Sequence, residues 1–431
     1  MNVMELYRRK LMPATQAVQF IQSHSRVYLG GGAAVPQVLE RAMVARAHEL
    51  RGVEVMHVLT FAGSEYLDPA YERSFRHHAL FIGDASREAV RSGRADYTPM
   101  FLSEMPRLFR QRLLPIDVAL IQVAPPDAHG FCSFGVEVGV TKPAAQSARK
   151  VIAEVNKQMP RVWGDSFIHL NQIDALVEVD YALPNMPQGQ FSETHHRIGA
   201  HIAELVPHGA TLQLGIGSLP DAVLHHLKNK KDLGIHTELF SDGIIELVER
   251  GVITNAKKTL HPGKIVAGFL FGSQRLYEFV HNNALIELHP SDYVNDPYVI
   301  AKNDQMIAIN SALEVDLTGQ VCADSIGAQF YSGIGGQVDF VRGAARAKNG
   351  KPIIALPATA KNGEVSRIVP YLKPGAGVVT SRGDVHYVAT EFGVAALYGK
   401  SIRERVKSLI AIAHPKFRDE LECYAKQQHW C

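Results

Sequence analysis

One short unit occurs twice in this chain, and it constrains the fold more than any other feature. RVYLGGG (26–32) reads as a β-strand running into a glycine turn, and PQVLERAMVARAHEL (36–50) follows as a helix with Pro36 in its first turn. ATLQLGIG (210–217) is again a strand and a glycine turn, after which Pro220-Asp221-Ala222-Val223-Leu224 opens another helix. VYLGGGAAVP and LQLGIGSLP differ by one residue in the spacing from last glycine to proline and lie about 185 residues apart. Solenoid repeats have far shorter periods, roughly 20–50 residues. The pair therefore points to two related α/β halves. Short β-rich runs alternate with amphipathic helical stretches along the whole length, as an α/β fold requires.

The seam between the halves is read at ALPNMPQGQ (182–190), where Pro184, Pro187 and Gly189 stand among polar residues. This gives an N-terminal domain over 1–186 and a C-terminal domain over 187–431. Beyond the seam, SETHHRIGAHIAELV (192–206) has a Ser N-cap and places Ile198, Ile202 and Leu205 at helical spacing. At about 150 residues per domain, a chain of 431 residues has room for two or three cores.

Composition narrows the partners. Lys+Arg number 45 and Asp+Glu 43, so the formal charge is only +2 and no basic stripe marks a nucleic-acid surface. Hydrophobic residues at 46% and charged residues at 20% exclude a largely disordered chain. The four cysteines, Cys132, Cys322, Cys423 and Cys431, are scattered without a CxxC pair, against a disulfide framework or a structural zinc site. MNVMELYRRKLMP lacks the apolar core of a secretory signal. The weakly charged stretch Val118–Lys142 is broken by Pro125-Pro126-Asp127 and His129-Gly130, which leaves no span of about 20 apolar residues. A cytoplasmic protein that acts on small molecules, with no membrane or nucleic-acid partner, is expected.

The chemistry concentrates in LQLGIGSLPDAVLHHLKNKKDLGIHTELFSDG (212–243), a βαβ unit whose second strand is LGIHTELF. Three readings of it stand open. Gly215 and Gly217 form G-x-G, with Glu238 near the place of a ribose-binding acid, so dinucleotide binding is one; against it, Pro220 stands where a third glycine would allow close helix–strand packing. Alternatively Glu238 is a nucleophile beyond the carboxyl end of a strand, beside a bare glycine backbone whose N–H groups can stabilise an oxyanion or phosphate. Third, Glu238 is a solvated surface acid or a partner of Lys230 or Lys231.

Further glycine-rich or polar loops follow strands in the C-terminal third: INSALEVDLTGQV (309–321), YSGIGGQVDFVRGAARAKNG (331–350) and KPIIALPATAKNGEVSRIVP (351–370). Loops of this kind in one half can converge on a long ligand. Several other residues are better read structurally. The adjacent pairs His77-His78, His195-His196 and His225-His226 lack the i, i+4 spacing of metal ligands, and no metal is expected. Cys132 reads as a small buried hydrophobe, Lys257, Lys258 and Lys264 as a solvated turn, and Ser241 as a helix cap.

With these segments in place the chain resembles the acetyl-CoA hydrolase/transferase family. The resemblance runs from LYRRKLMPATQAVQFI through GRADYTPMFLSEMP (93–106), PPDAHGFCSFG (125–135) and GDSFIHLNQID (164–174). It continues through QLGIGSLP, HTELFSDG, PSDYVNDPYVI (290–300), GIGGQVDF (333–340) and RGDVHYVATEFGVAALYGKSIRERV (382–406). It implies two open α/β domains of the CoA-transferase type with the active site between them. It also implies an acyl-CoA:carboxylate CoA-transferase moving CoA between short acids of the 4-hydroxybutyrate, butyrate or acetate kind. An acyl-CoA hydrolase using the same glutamate is the alternative.

Carried over, the catalytic glutamate falls on Glu238 and the CoA-binding loop on Gln213, Leu214, Gly215, Ile216 and Gly217. Gly336 and its neighbour Gly335 match a further CoA or oxyanion contact, Leu313 and Lys361 match CoA contacts, and Asn295 matches an active-site polar residue. Coenzyme A enters as substrate, no permanently bound cofactor is expected, and a homo-oligomer, dimer or higher, is expected.

Overall fold

The computed structural model describes residues 2–186 and 191–431, so Pro187 and Gly189 of the seam lie outside the described residues. The chain divides into two compact units, Met1–Pro187 with Val266–Val294 and Gln188–Ile265 with Asn295–Cys431. A single cut near 186 does not describe the segment Val266–Val294, which belongs to the first unit.

The first unit is built on a seven-stranded parallel sheet. Its order is Ala175–Val179, Lys150–Asn156, Val118–Val123, Arg26–Leu29, Val53–His57, Phe75–Ala79 and Ala95–Tyr97. Parallel sheets are covered on both faces and need strands that are apolar throughout; Val118–Val123 (VALIQV) is buried at every position. Arg26–Leu29 lies between Val53–His57 and Val118–Val123, with Val27 opposite both Val55 and Val118. The strand order reverses here, which opens a crevice beyond the strand's carboxyl end. The following helix is Gln37–Val44, with Pro36 in the capping position and Leu39, Met43 and Val44 buried. It is shorter than the 36–50 read from periodicity. After Ala45 the chain turns, and Arg46 donates to the Val18 and Ile21 carbonyls.

The second unit repeats the plan. Its strands run in the order Gly393–Ala396, Tyr387–Thr390, Lys351–Ala355, Met306–Ser311, Thr211–Gln213 and Gly234–Phe240, parallel except for the Gly393–Ala396 edge. Thr211–Gln213 again sits at the reversal, with Leu212 opposite Ile235 on one side and Ile307 on the other. Helix Glu193–Leu205 carries the expected Ser192 cap and buries Ile198 and Ile202. It packs so close to helix Ser218–His226 that a Cβ at Gly199 would stand 2.8 Å from the Ala222 carbonyl oxygen. Among the described residues no helix is long and apolar enough to cross a membrane.

Candidate active site

Glu238 stands near the carboxyl end of strand Gly234–Phe240, where alternation puts it on the face opposite Thr237. Its carboxylate is held by two donors. Asn295 Nδ2 donates to Oε2 at 2.9 Å, and the Gly336 N–H donates to the same carboxylate. A Cβ at Gly336 would lie 2.0 Å from Glu238 Oε2 and 2.2 Å from Asn295 Nδ2, so glycine alone allows this approach. Gly335, in the left-handed region at φ +58°, makes the turn that delivers Gly336 to the start of helix Gln337–Arg346. The two adjacent glycines thus divide the work: one turns the chain and the other meets the carboxylate. Asn295 is fully buried, and its Oδ1 has no hydrogen-bond partner among the described residues.

The electrostatics follow from this geometry. Burial pushes the Glu238 carboxyl above its ordinary range, while the Asn295 and Gly336 donors pull it part of the way back. The residue is still partly exposed, so the carboxylate is desolvated without being sealed in. A carboxylate weakly solvated by water and steered by two hydrogen bonds is suited to attack an electrophilic carbonyl carbon.

The first glycine loop of this unit is tied to the same strand. The Leu214 N–H donates to Thr237 Oγ1 at 3.3 Å, and that hydroxyl donates to the Leu214 carbonyl at 2.9 Å. Thr237, immediately before Glu238, therefore couples the loop to the strand that carries Glu238; only its place inside HTELFSDG could have signalled this. Gly217 adopts φ +106°, and a Cβ there would find nothing within 4 Å; the nearest atom to one at Gly215 is Pro220 Cγ at 3.9 Å. Ile216 between them is partly exposed. Leu214 and Gly215 line a narrow cavity with Thr237, Leu239 and Ser241. Gln213 faces the neighbouring strand, where its amide pairs with that of Asn310 at 3.1 and 3.4 Å. Leu313 and Lys361 do not share the Glu238 cluster. They line a separate cavity of about 220 Å³ with Ile326, Ala360, Val365 and Arg367.

Two structural readings of side residues change. Ser241 is not a helix cap: Asp242 occupies the capping position before Gly243–Glu249 and makes no side-chain capping bond, while Ser241 is buried against the narrow cavity. Lys258 is not solvated; it is buried, and its Nζ donates to the Ile235 and Lys264 carbonyls at 2.8 and 2.7 Å. Backbone carbonyls at the bend capture the ammonium and let its stem pack inside. Cys132 is a buried hydrophobe whose thiol is pushed up to about 12, chiefly by burial, which removes thiolate nucleophilicity at neutral pH.

Residues 1–185 match the acetyl-CoA hydrolase/transferase N-terminal domain, and residues 272–425 match the C-terminal domain of the same family. The 4-hydroxybutyrate coenzyme A transferase of Clostridium kluyveri is 55% identical over 417 residues, which cover 97% of each chain. Among solved structures, RipA from Yersinia pestis is 39% identical with a TM-score of 0.94 over 100% of both chains. The 4-hydroxybutyrate CoA-transferase from Porphyromonas gingivalis is 43% identical with a TM-score of 0.85 over 99% of both chains. The chain therefore belongs to the acetyl-CoA hydrolase/transferase family, and it is an enzyme, a CoA-transferase.

Proposed function

We propose that this enzyme moves CoA between short-chain carboxylic acids of the 4-hydroxybutyrate, butyrate or acetate kind, and that Glu238 carries the CoA between them as a thioester. The observation that carries this reading is the Glu238 carboxylate, desolvated and gripped by Asn295 Nδ2 and the Gly336 N–H.

In the first step a Glu238 oxygen attacks the acyl-CoA carbonyl, the C–S bond breaks, and the CoA thiolate leaves a mixed anhydride. The thiolate then attacks the Glu238 Cδ, the C–O bond of the anhydride breaks, and the first acid departs as a carboxylate. A second carboxylate reverses both steps and leaves as the new acyl-CoA. No net proton, oxidant or reductant is consumed, and the thioester bond energy is conserved throughout. When the thiolate attacks Cδ, negative charge develops on a glutamyl oxygen, where Asn295 Nδ2 and the Gly336 N–H already point. A donor so placed contributes roughly 10²–10³ in rate. The four cysteines are free, which fits the reducing cytoplasm to which we assign the enzyme.

The test is to incubate the enzyme with acetyl-CoA, treat it with borohydride and locate the mass change by peptide mapping. Modification of the Glu238 peptide is expected, and CoA exchange between acetyl-CoA and butyrate should proceed without net thiol release. Thiol release indifferent to added carboxylate would show a hydrolase, and a label on Cys132 would show another nucleophile.

A further inference from the structure

The histidine pairs His195-His196 and His225-His226 take no part in the Glu238 cluster, and neither pair alone has the spacing of metal ligands. Helix packing within the second unit changes their relation. Helices Glu193–Leu205 and Ser218–His226 lie side by side, and one imidazole from each pair meets the other across the contact. His196 Nδ1 stands 3.4 Å from His226 Nε2. A Cβ at Gly199 would stand 3.1 Å from His226 Cδ2, so this glycine, one turn past His196, leaves the room that the His226 ring fills. Phe191 packs edge-on against the His196 ring, centroids 4.5 Å apart, and holds its orientation. His195 is spent otherwise: its Nδ1 bonds the Ser192 hydroxyl and N–H in the capping box of the first helix.

The distance between the two nitrogens is informative. At 3.4 Å they are farther apart than the roughly 2.7–3.2 Å of a good hydrogen bond from an N–H donor. Two nitrogens bound at about 2.0–2.1 Å to one tetrahedral metal ion stand about 3.3–3.4 Å apart. The imidazoles of His196 and His226 make no other hydrogen bond or ion pair among the described residues, and both residues are partly exposed, so water can reach an ion held between them. The charge nearby is negative and unspent. Asp221, on the helix of His226, lines a cavity of about 140 Å³ with Phe191, Leu224, His225 and Glu246. Its carboxylate has no side-chain hydrogen bond or ion pair among the described residues, and burial, with Asp242 beside it, pushes it up to about 6. Lys228, a cation whose field reaches His225, is held by Glu246 at 3.0 Å.

We propose that His196 and His226 form a binding site for a divalent transition-metal ion such as Zn²⁺, with one imidazole nitrogen from each of the two helices and water in the remaining positions. Imidazole suits Zn²⁺, Ni²⁺ and Cu²⁺. Bound there, the ion clips together two helices, the second of which begins at Gly217 of the open glycine loop. The site uses neither Glu238 nor the transfer chemistry, so its failure leaves the transferase reading standing.

The test uses the full chain without a histidine tag, stripped of metal by a chelator, and Zn²⁺ alone as the probe. Affinity is read by competition with a chromogenic chelator for wild type, His196→Gln, His226→Gln and His195→Gln. Each of the first two substitutions is expected to weaken Zn²⁺ binding at least about tenfold. Each should also remove the few degrees by which Zn²⁺ raises the wild-type melting temperature. His195→Gln, which alters only the cap, should keep both. A second measurement needs no variant: on the wild type, Zn²⁺ should protect His196 and His226 from carbethoxylation by diethylpyrocarbonate, read residue by residue from fragment masses. His48, whose side chain is 76% exposed, should stay reactive. No Zn²⁺ binding by the wild type, equal affinity in all four proteins, or unprotected His196 and His226 at saturating Zn²⁺ would each overturn the site.

Discussion

The two glycine loops occupy equivalent places, each beyond a strand at the point where its sheet reverses, yet the fold uses them in opposite ways. In the first unit the loop is spent on the fold itself. Gly30 N–H donates to the Leu120 carbonyl at 2.8 Å, Gly32 N–H to the Leu59 carbonyl at 2.7 Å, and Gly31 N–H to Thr141 Oγ1 at 3.4 Å. The amino end of the next helix is occupied as well: buried Glu154 accepts the Leu39 N–H at 2.6 Å and is itself bonded by the Tyr181 hydroxyl. That carboxylate completes the helix dipole from within the unit. In the second unit Gly217, at the capping position of helix Ser218–His226, brings no side-chain capping bond, and among the described residues the space beside Gly215 and Gly217 is open. A glycine loop at a sheet reversal therefore leaves room for a ligand only where neighbouring side chains do not close it. The same motif, closed by neighbouring side chains, is a joint.

The difference can be broken most severely at Glu238. Glu238→Gln should keep CoA binding, since the amide is nearly isosteric, and lose transfer by at least about 10³-fold in an exchange assay. Next comes Gly336→Ala, whose methyl would have to displace the Glu238 carboxylate or the Asn295 amide. A loss of about 10²-fold in kcat with little change in KM for acyl-CoA is expected.

A sharper comparison sets Gly215→Ala against Gly31→Ala. The first has room for its methyl and should leave the melting temperature unchanged while raising KM for acyl-CoA about tenfold, a loss of about 1.4 kcal/mol. The second brings a Cβ within 2.9 Å of the Leu59 carbonyl oxygen and should cost about 1–3 kcal/mol of stability, with KM for acyl-CoA unchanged. If both variants behave alike, the contrast between open and closed loops fails.

The smallest effect is on pH-dependent stability of the first unit. Beside its closed loop, Glu137 is buried with Oε2 unpartnered among the described residues, and burial pushes its carboxyl from 4.5 up to about 7. The folded state then holds this proton more tightly than the unfolded chain. Its stabilising contribution is complete below about pH 4.5 and is lost as pH rises through about 7. Glu137→Gln should flatten the fall of melting temperature across that window by a few degrees. An unchanged slope in thermal melts at pH 5, 6 and 7 would count against it.

Much of this is legible in the amino-acid sequence. The paired strand–glycine–proline units are local features, and they identify the two loops and the strand that carries Glu238. Hydrophobic periodicity likewise locates helix Glu193–Leu205 and the buried strands, because helix and strand periods act over a few residues. Local reasoning fails where a side chain finds a distant partner. Lys258 reads as solvated because nothing nearby in sequence announces the Ile235 carbonyl that captures it.

The α/β alternation, the family, and the choice of a glutamate at a strand end beside a bare loop all come from residue order. What meets that glutamate is a matter of tertiary structure. Asn295 lies 57 residues beyond it, and Gly336 comes from a third segment; sheet order and loop closure, rather than local preference, bring them to one carboxylate. The same long-range packing closed one glycine loop with Thr141 and the helix after it with Glu154, and left the other loop open. Hydrogen-bond satisfaction is settled across the whole fold, so a motif can specify a backbone shape while its surroundings decide whether that shape is free to bind.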